Sequence, residues 1–346
     1  MPGDSVEPLH VGLTFDLADE HRMTSLSEEE LAEFDSEETI LGIERAIANM
    51  GHRTWRIGSI QSLVQALARG KRWDLVFNIA EGRFGRARES QVPALLDAYS
   101  IPYTFSDPLV LGIALHKGHA KAVARAAGVP TADYRLIERI GDLEPNALTF
   151  PVFAKPVAEG TSKGISKDSI VQSPAELRRV CGDLLDRFAQ PVLLETYLPG
   201  REFTVGVLGT GTHARCLGTL EVLLVGDADV GVYSYRNKKQ FVGKVEYRWL
   251  RPEADCKIES VESVALAAYR ALGCRDAGRV DVRLAADGQP CFIEVNPLPG
   301  LNPAVSDLAI LVKQTGFGYA ELIAAIVREA TERCPVKAGA RALTHI

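Results

Sequence analysis

The sequence lacks the features that mark several large classes of protein. No apolar run approaches the roughly 20 residues that span a bilayer. The opening stretch MPGDSVEPLH is acidic and has neither the basic region nor the apolar core of a secretory signal. A cytoplasmic chain with no membrane partner is therefore expected. Positive charge is also short: the formal net charge of −6 argues against a nucleic-acid partner. It leaves room for a locally positive cleft, which a few well-placed lysines can make.

Catalytic and metal signatures are missing too. Cys181, Cys216, Cys256, Cys274, Cys291 and Cys334 lie far apart with no C-x-x-C pair, as in reduced thiols rather than disulfides or a zinc site. The seven histidines form no H-E-x-x-H spacing. There is no G-x-x-x-x-G-K-[ST] loop and no G-x-S-x-G elbow, so P-loop and serine-hydrolase readings have no support. Gly206, Gly209 and Gly211 do not fit the dinucleotide spacing and read as a turn between two strands. No repeat or low-complexity stretch occurs.

What remains is an ordinary globular composition. The 346 residues, 46% hydrophobic and 24% charged, suffice for two or three subdomains with their own cores. VGLTF at 11–15 reads as a strand, 16–38 as an acidic loop or mobile segment, and TILGIERAIANMGH as an amphipathic helix ending near Gly51. A helix near 60–69, the strand DLVFNIA and a helix at 89–98 follow. This alternation predicts an α/β fold opening with a small parallel sheet. From about 109 one helix is expected to run to Ala127, then the strand FPVFAKPV. Ser173, Pro174 and Glu176 make a strong helix start. Strands PVLLETYL, EFTVGVLG and ARCLGTLEVLL, a helix at 257–272, a hairpin and a C-terminal helical region complete the chain.

The hairpin RVDVRLAADGQPCFIEVN is the most informative segment. Asp287-Gly288 predicts a two-residue turn. Counting back along that register, Asp281 faces Glu294 and Arg279 faces Asn296, with all four on one face of the ribbon. Val280, Val282, Ile293 and Val295 take the other face as core. Two opposed carboxylates repel, so they need a proton, an arginine or a cation between them. The oxygen trio Asp281, Glu294 and Asn296 suits Mg²⁺; an exposed polar face satisfied by Arg279 is the alternative. The PLPG turn after Asn296 places backbone N–H groups beside that face, where they could hold an oxyanion or a carboxylate.

Lys155 ends an apolar strand and precedes Gly160-Thr161-Ser162-Lys163-Gly164. Small residues of this kind let backbone N–H groups approach phosphate, although a flexible surface loop has the same composition. Glu195 ends another apolar strand ahead of a Pro-Gly turn.

The order of these pieces resembles the ATP-grasp superfamily, and within it the D-alanine–D-alanine ligases. The matching stretches are ALHKGHAKAVARAAGVPT, FAKPVAEGTSKGIS, VLLETYLPGREFTVGVLG, ALGCRDAGRVDVRL and FIEVNPLPGLNP. The resemblance implies an N-terminal domain over 1–108, a central ATP-grasp lobe over 109–198 and a C-terminal lobe over 199–346. It implies ATP and Mg²⁺ (or Mn²⁺) as cofactors and amino acids or small peptides as substrates, with a homodimer as a family-level expectation. Lys117, Lys155 and Lys238 resemble the lysines that grip phosphates. Glu195, Leu198 and Glu202 resemble the adenine and ribose contacts. Asp281, Glu294 and Asn296 resemble the metal ligands, and Arg279 with the Gly300 N–H the groups that stabilise a tetrahedral intermediate.

The amino-acid pocket departs from the family pattern. Glu81 stands in place of a histidine, Arg86 and Arg88 replace an acidic stretch, and Thr161 replaces a serine. Asp35 aligns with the glutamate that anchors the first substrate's ammonium, with Glu37 and Glu38 as alternatives. Ser306 aligns with the serine that holds the second substrate's carboxylate, and Lys239 with a tyrosine. An ADP-forming carboxylate–amine ligase is therefore expected, of another substrate or of D-alanine itself. An ATP-grasp kinase and an ATP-binding protein without turnover are the other readings.

Overall fold

The structure, a computed structural model, describes residues 7–21, 27–31, 33–226 and 244–333. The described residues form three sheets. Strands β1 (His10–Thr14), β2 (Arg53–Gly58) and β3 (Leu75–Asn78) form a parallel sheet in the order β2-β1-β3. The connecting helix Glu37–Asn49 starts at Ser36, whose hydroxyl accepts the Thr39 N–H. Its apolar positions Ile40, Ile43 and Ile47 follow helical spacing and are fully buried. They share one core with Val11 and Leu13 of β1 and with Leu322 and Ile326 of the helix Tyr319–Arg333. The helix Tyr319–Arg333 thus packs against the first sheet's own helix.

The second sheet is antiparallel: β4 (Tyr134–Ile137), β5 (Val152–Pro156), β6 (Ile170–Val171) and β7 (Val192–Thr196), in the order β4-β7-β5-β6. It is covered by the helix Pro174–Phe188. That helix starts as its sequence indicates: Ser173 accepts the Glu176 N–H, and Glu176 reaches back to the Gln172 N–H.

The third sheet, also antiparallel, joins β8 (Glu202–Leu208), β9 (Arg215–Leu224), β10 (Val245–Leu250), β11 (Ala277–Leu284) and β12 (Pro290–Asn296) in the order β10-β9-β8-β11-β12. Phe203, Val205, Val280 and Val282 on one face bury against Ile258, Val261 and Tyr269 of the helix Lys257–Leu272. That leaves the opposite face for a cleft against the second sheet. Among the described residues no single helix is long and apolar enough to cross a bilayer.

The structure departs from expectation in three places that shape the site. The helix expected from 109 to 127 is two helices, Pro108–Leu115 and Lys117–Ala126. His116 leaves helical geometry and caps the second helix through Nδ1. Lys117 therefore opens a helix at the cleft. The acidic stretch 16–38 is not a free loop where it is described. The Glu33 side chain is 8% exposed, with ion pairs to Arg88 at 3.2 Å and Lys163 at 3.0 Å, and its carboxylate accepts the Gly160 N–H.

The hairpin is the third. Its loop has three residues, Ala286–Gly288: Ala285 accepts the Gly288 N–H and pairs with Gln289, and Gly288 takes φ +80°. This shifts the register by one, so Val282 faces Phe292. A bulge at Ile293 shifts it back, so Asp281 faces Glu294 and Arg279 faces Asn296. Phe292, not Ile293, joins Val280, Val282 and Val295 in the core. Ile293 turns into the cleft.

Candidate active site

Two adjoining cavities lie between the sheets. One is lined by β5, β7, β8 and β11 and contains Lys155, Glu195, Leu198, Glu202 and Asp281. The other lies between the N-terminal segment and the PLPG turn and contains Asp35, Glu81, Lys117, Asn296, Gly300 and Ser306. Thr161, Arg279, Glu294 and Asp307 line both. Each of these residues thus borders one of two cavities that share part of their walls, whereas Glu37, Glu38, Arg86 and Arg88 line neither. Lys238 and its neighbour Lys239 lie outside the described residues.

The lysines of the cleft are held by acids. Lys155 Nζ lies 2.7 Å from one Glu195 oxygen and Lys121 Nζ lies 2.5 Å from the other, with all three side chains closed to water. Burial alone would raise the Glu195 carboxyl, but Lys121 and Lys155 outweigh it and hold it at about 2. Lys117 Nζ donates to the Glu159 carbonyl at 2.5 Å and sits 3.4 Å from Glu294. Glu202 accepts from Arg283 at 3.1 Å.

The loop after β5 turns at Thr161 and Ser162, both at positive φ, with Lys163 N–H donating to the Gly160 carbonyl. Two successive non-glycine residues in that region are strained, and such strain concentrates where backbone must meet a ligand. Lys163 clamps the loop, lying 3.0 Å from Glu33 and 2.9 Å from Glu159.

On the hairpin, Arg279 donates to Asp281 at 3.0 Å and to Asp307 at 2.5 Å. Its Nε is buried with no hydrogen-bond partner among the described residues. A buried donor left open beside a cleft suits an anionic oxygen from a ligand. Asp281 also accepts from Thr204 at 2.9 Å, and Asn296 Nδ2 lies 3.5 Å away. Burial raises the Asp281 carboxyl, with Glu294 adding and Arg279 opposing. At Glu294 burial is outweighed by Lys117, Lys155 and Arg279, which keep it at about 2. Arg279 therefore does not satisfy both hairpin acids: it serves Asp281 and Asp307, and Glu294 meets Lys117. Among the described residues no cluster of three or more His, Cys, Asp and Glu side chains is arranged to hold a metal. The donors available are two carboxylates and an amide, a set that fits Mg²⁺, which keeps open positions for water and phosphate oxygens.

Sequence reasoning missed Lys121, Asp307, Glu33 and Glu89. Lys121 looks like any helix lysine, and its partners Glu195 and the Phe292 carbonyl lie far along the chain.

A cleft between two antiparallel sheets, edged by lysines and a carboxylate-bearing hairpin, is the architecture of an ATP-grasp enzyme. The fold is similar to the D-alanine–D-alanine ligase of Bacillus anthracis crystallised with ATP, with a TM-score of 0.71 at 23% identity over 94% of this chain and 98% of that one. Residues 123–328 match the family model for the D-ala D-ala ligase C-terminus. The chain is 32% identical over 302 residues to a D-alanine–D-alanine ligase of Bordetella petrii, covering 87% of this chain and 85% of the relative. It is 34% identical over 298 residues to that of Parvibaculum lavamentivorans, covering 84% and 91%. The protein belongs to the D-alanine–D-alanine ligase family and is an ATP-dependent ligase.

Proposed function

We propose that the enzyme activates the carboxylate of an amino acid or small peptide as an acyl phosphate and joins it to an amine, releasing ADP and phosphate. The supporting observation is the junction of the two cavities at Thr161, Arg279, Glu294 and Asp307. A triphosphate in the first cavity and a carboxylate in the second would meet there. The three sheets support a division into lobes near residues 108 and 198.

In this reading Leu198, Glu202 and the end of β7 at Glu195 hold adenine and ribose. Lys117 and Lys155 bind phosphate oxygens, and Lys238 adds a third cation. A substrate carboxylate oxygen attacks the γ-phosphorus, and the bond to the β-phosphate oxygen breaks with its electrons on ADP. The amine nitrogen then attacks the acyl carbon. Arg279 and the Gly300 N–H stabilise the oxyanion, Thr161 donates from the strained turn, and phosphate departs with the electrons of the broken C–O bond while the nitrogen loses its extra proton. Asp281, Glu294 and Asn296 would hold Mg²⁺, which supplies charge neutralisation on the transferring phosphoryl group. Asp35 anchors the ammonium of the first amino acid. Glu81 lies beside it, and Ser306 receives the carboxylate of the second.

A panel of D- and L-amino acids and dipeptides, scored for phosphate release and for new amide mass, tests this. Amide formation coupled one-to-one with phosphate release supports it, with D-alanyl-D-alanine among the products if D-alanine is a substrate. A phosphorylated product without amide would replace the ligase reading with a kinase. No phosphate release with any member would reject it.

A further inference from the structure

The wall of the second cavity carries more carboxylates than cations, and most are answered. Glu33 meets Arg88 and Lys163, Glu159 meets Lys163, Glu294 meets Lys117, and Asp307 meets Arg279. Three acids in the wall form no ion pair with any described residue: Asp35, Glu81 and Glu89. In the reading above, Asp35 takes the ammonium that every α-amino acid carries. Glu81 and Glu89 then remain.

A tight fold of the loop sets these two side by side. Gly82 takes φ +69° and donates to Asp16 at 2.9 Å. A Cβ added there would stand 2.6 Å from the Arg88 carbonyl oxygen. Residues 82 and 88 are thus in backbone contact, and their neighbours Glu81 and Glu89 both border the cavity. Glu89 is only 9% exposed, yet its carboxylate has no hydrogen-bond or ion-pair partner among the described residues. Burying a carboxylate without a partner costs several kcal/mol. In the absence of ligand the burial shows as a raised carboxyl, and an arriving cation would favour the ionised form. Burial raises the Glu89 carboxyl to about 7, with Glu33 adding and Arg88 and Lys117 opposing. Burial and Glu89 raise Glu81 well above its ordinary value. Ala114 and Leu115 line the same cavity and offer apolar surface to a methylene stem.

We infer that Glu81 and Glu89 form a subsite for a second positive charge, so that the amino acid bound in this cavity is a diamino acid rather than alanine. This rests on the ligase reading for its place in the reaction but not for its test. Alanine, with a methyl side chain, would leave the buried Glu89 and the half-buried Glu81 without an ion pair. A diamino acid places an ammonium there and gains a charge-assisted contact of the kind that discriminates strongly, because the analogue lacking it leaves buried acids unpaired.

The test is calorimetric binding of 2,4-diaminobutyrate, ornithine and lysine. Each is compared with the monoamine of equal chain length (2-aminobutyrate, norvaline, norleucine), in both stereoisomers, with a non-hydrolysable ATP analogue and Mg²⁺ present. At least one diamino acid should bind 10-fold or more tightly than its monoamine partner. Glu89→Gln should reduce that ratio to below 3-fold while monoamine affinity stays within 2-fold, which also reports a folded pocket, and Glu81→Gln should reduce the ratio to below 3-fold as well. Equal affinities in the wild type, no binding of any diamino acid, or a ratio unchanged in both variants would each overturn the inference. Amide formation from neutral amino acids alone would overturn the subsite and leave the ligase standing. Phosphate release with no amino acid or peptide would remove the ligase reading, while the binding ratio still decides the subsite.

Discussion

Lys121 and Glu195 meet at 2.5 Å with both side chains sealed from solvent, and Lys121 also donates to Thr131 and to the Phe292 carbonyl. One lysine thus ties β7 of the middle sheet to β12 of the large sheet. Glu195 neutralises Lys155 as well. Removing the acid leaves two buried cations facing each other, whereas removing Lys121 leaves one complete pair. Glu195→Gln should therefore destabilise the fold by about 3–5 kcal/mol, and Lys121→Met by clearly less. Urea unfolding of both variants checks this. The reverse ranking would mean that Glu195 is not the shared anchor.

The opposed pair Asp281 and Glu294 gives a second expectation. Asp281→Ala and Glu294→Ala should each lower turnover at least about 100-fold, the scale of several kcal/mol of lost charge neutralisation. The fold should persist, because Arg279 keeps Asp307 and Lys117 keeps the Glu159 carbonyl. Stabilisation by Mg·ADP in a thermal melt should vanish in both variants. Retention of that shift together with near-normal turnover would reject the metal assignment.

Asp307 holds Arg279, the arginine proposed to stabilise the oxyanion, from behind. One of its oxygens accepts Arg279 Nη1 at 2.5 Å and the other the Tyr247 hydroxyl at 2.7 Å. Asp307 also borders both cavities, but as a positioning residue it should act through Arg279. Asp307→Asn should lower kcat about 10- to 100-fold and change KM for ATP by less than 3-fold. A loss confined to KM would place Asp307 in nucleotide binding instead.

Much of this site was legible in the sequence, in part by two departures that cancel. The Asp-Gly pair was read as a two-residue turn, but Gly288 serves equally as the positive-φ residue of a three-residue loop. The bulge at Ile293 then restored the register, so the pairing of Asp281 with Glu294 held. Nothing local in FIEVN announces that bulge. The strands that went unread, β2, β4, β6 and β10, are all sheet edges. Edge strands are half-exposed and carry charge, as in RTWRIG and VEYRWL, so their period is weak. The Lys121–Glu195, Arg279–Asp307 and Glu33–Lys163 pairs have no sequence signal, because each joins residues many positions apart. Only the folded chain brings them together.

Asp35 supplies a pH dependence with a definite sign. Burial, joined by the Asp16 charge, raises its carboxyl to about 7, with Thr39 opposing. An aspartate in the unfolded chain titrates near about 3.9. Between these values the folded form keeps a proton that the unfolded form has lost. Asp35 therefore lowers stability progressively as pH rises from about 4 to about 7, and by a constant amount above that. Asp35→Asn removes the titration. Its Tm should match the wild type near pH 4 and exceed it at pH 8, and under the proposed role as ammonium anchor amino-acid binding should weaken. Calorimetric melts at the two pH values decide it. A Tm difference independent of pH, or one favouring the wild type at pH 8, would show that Asp35 is not held in the surroundings described.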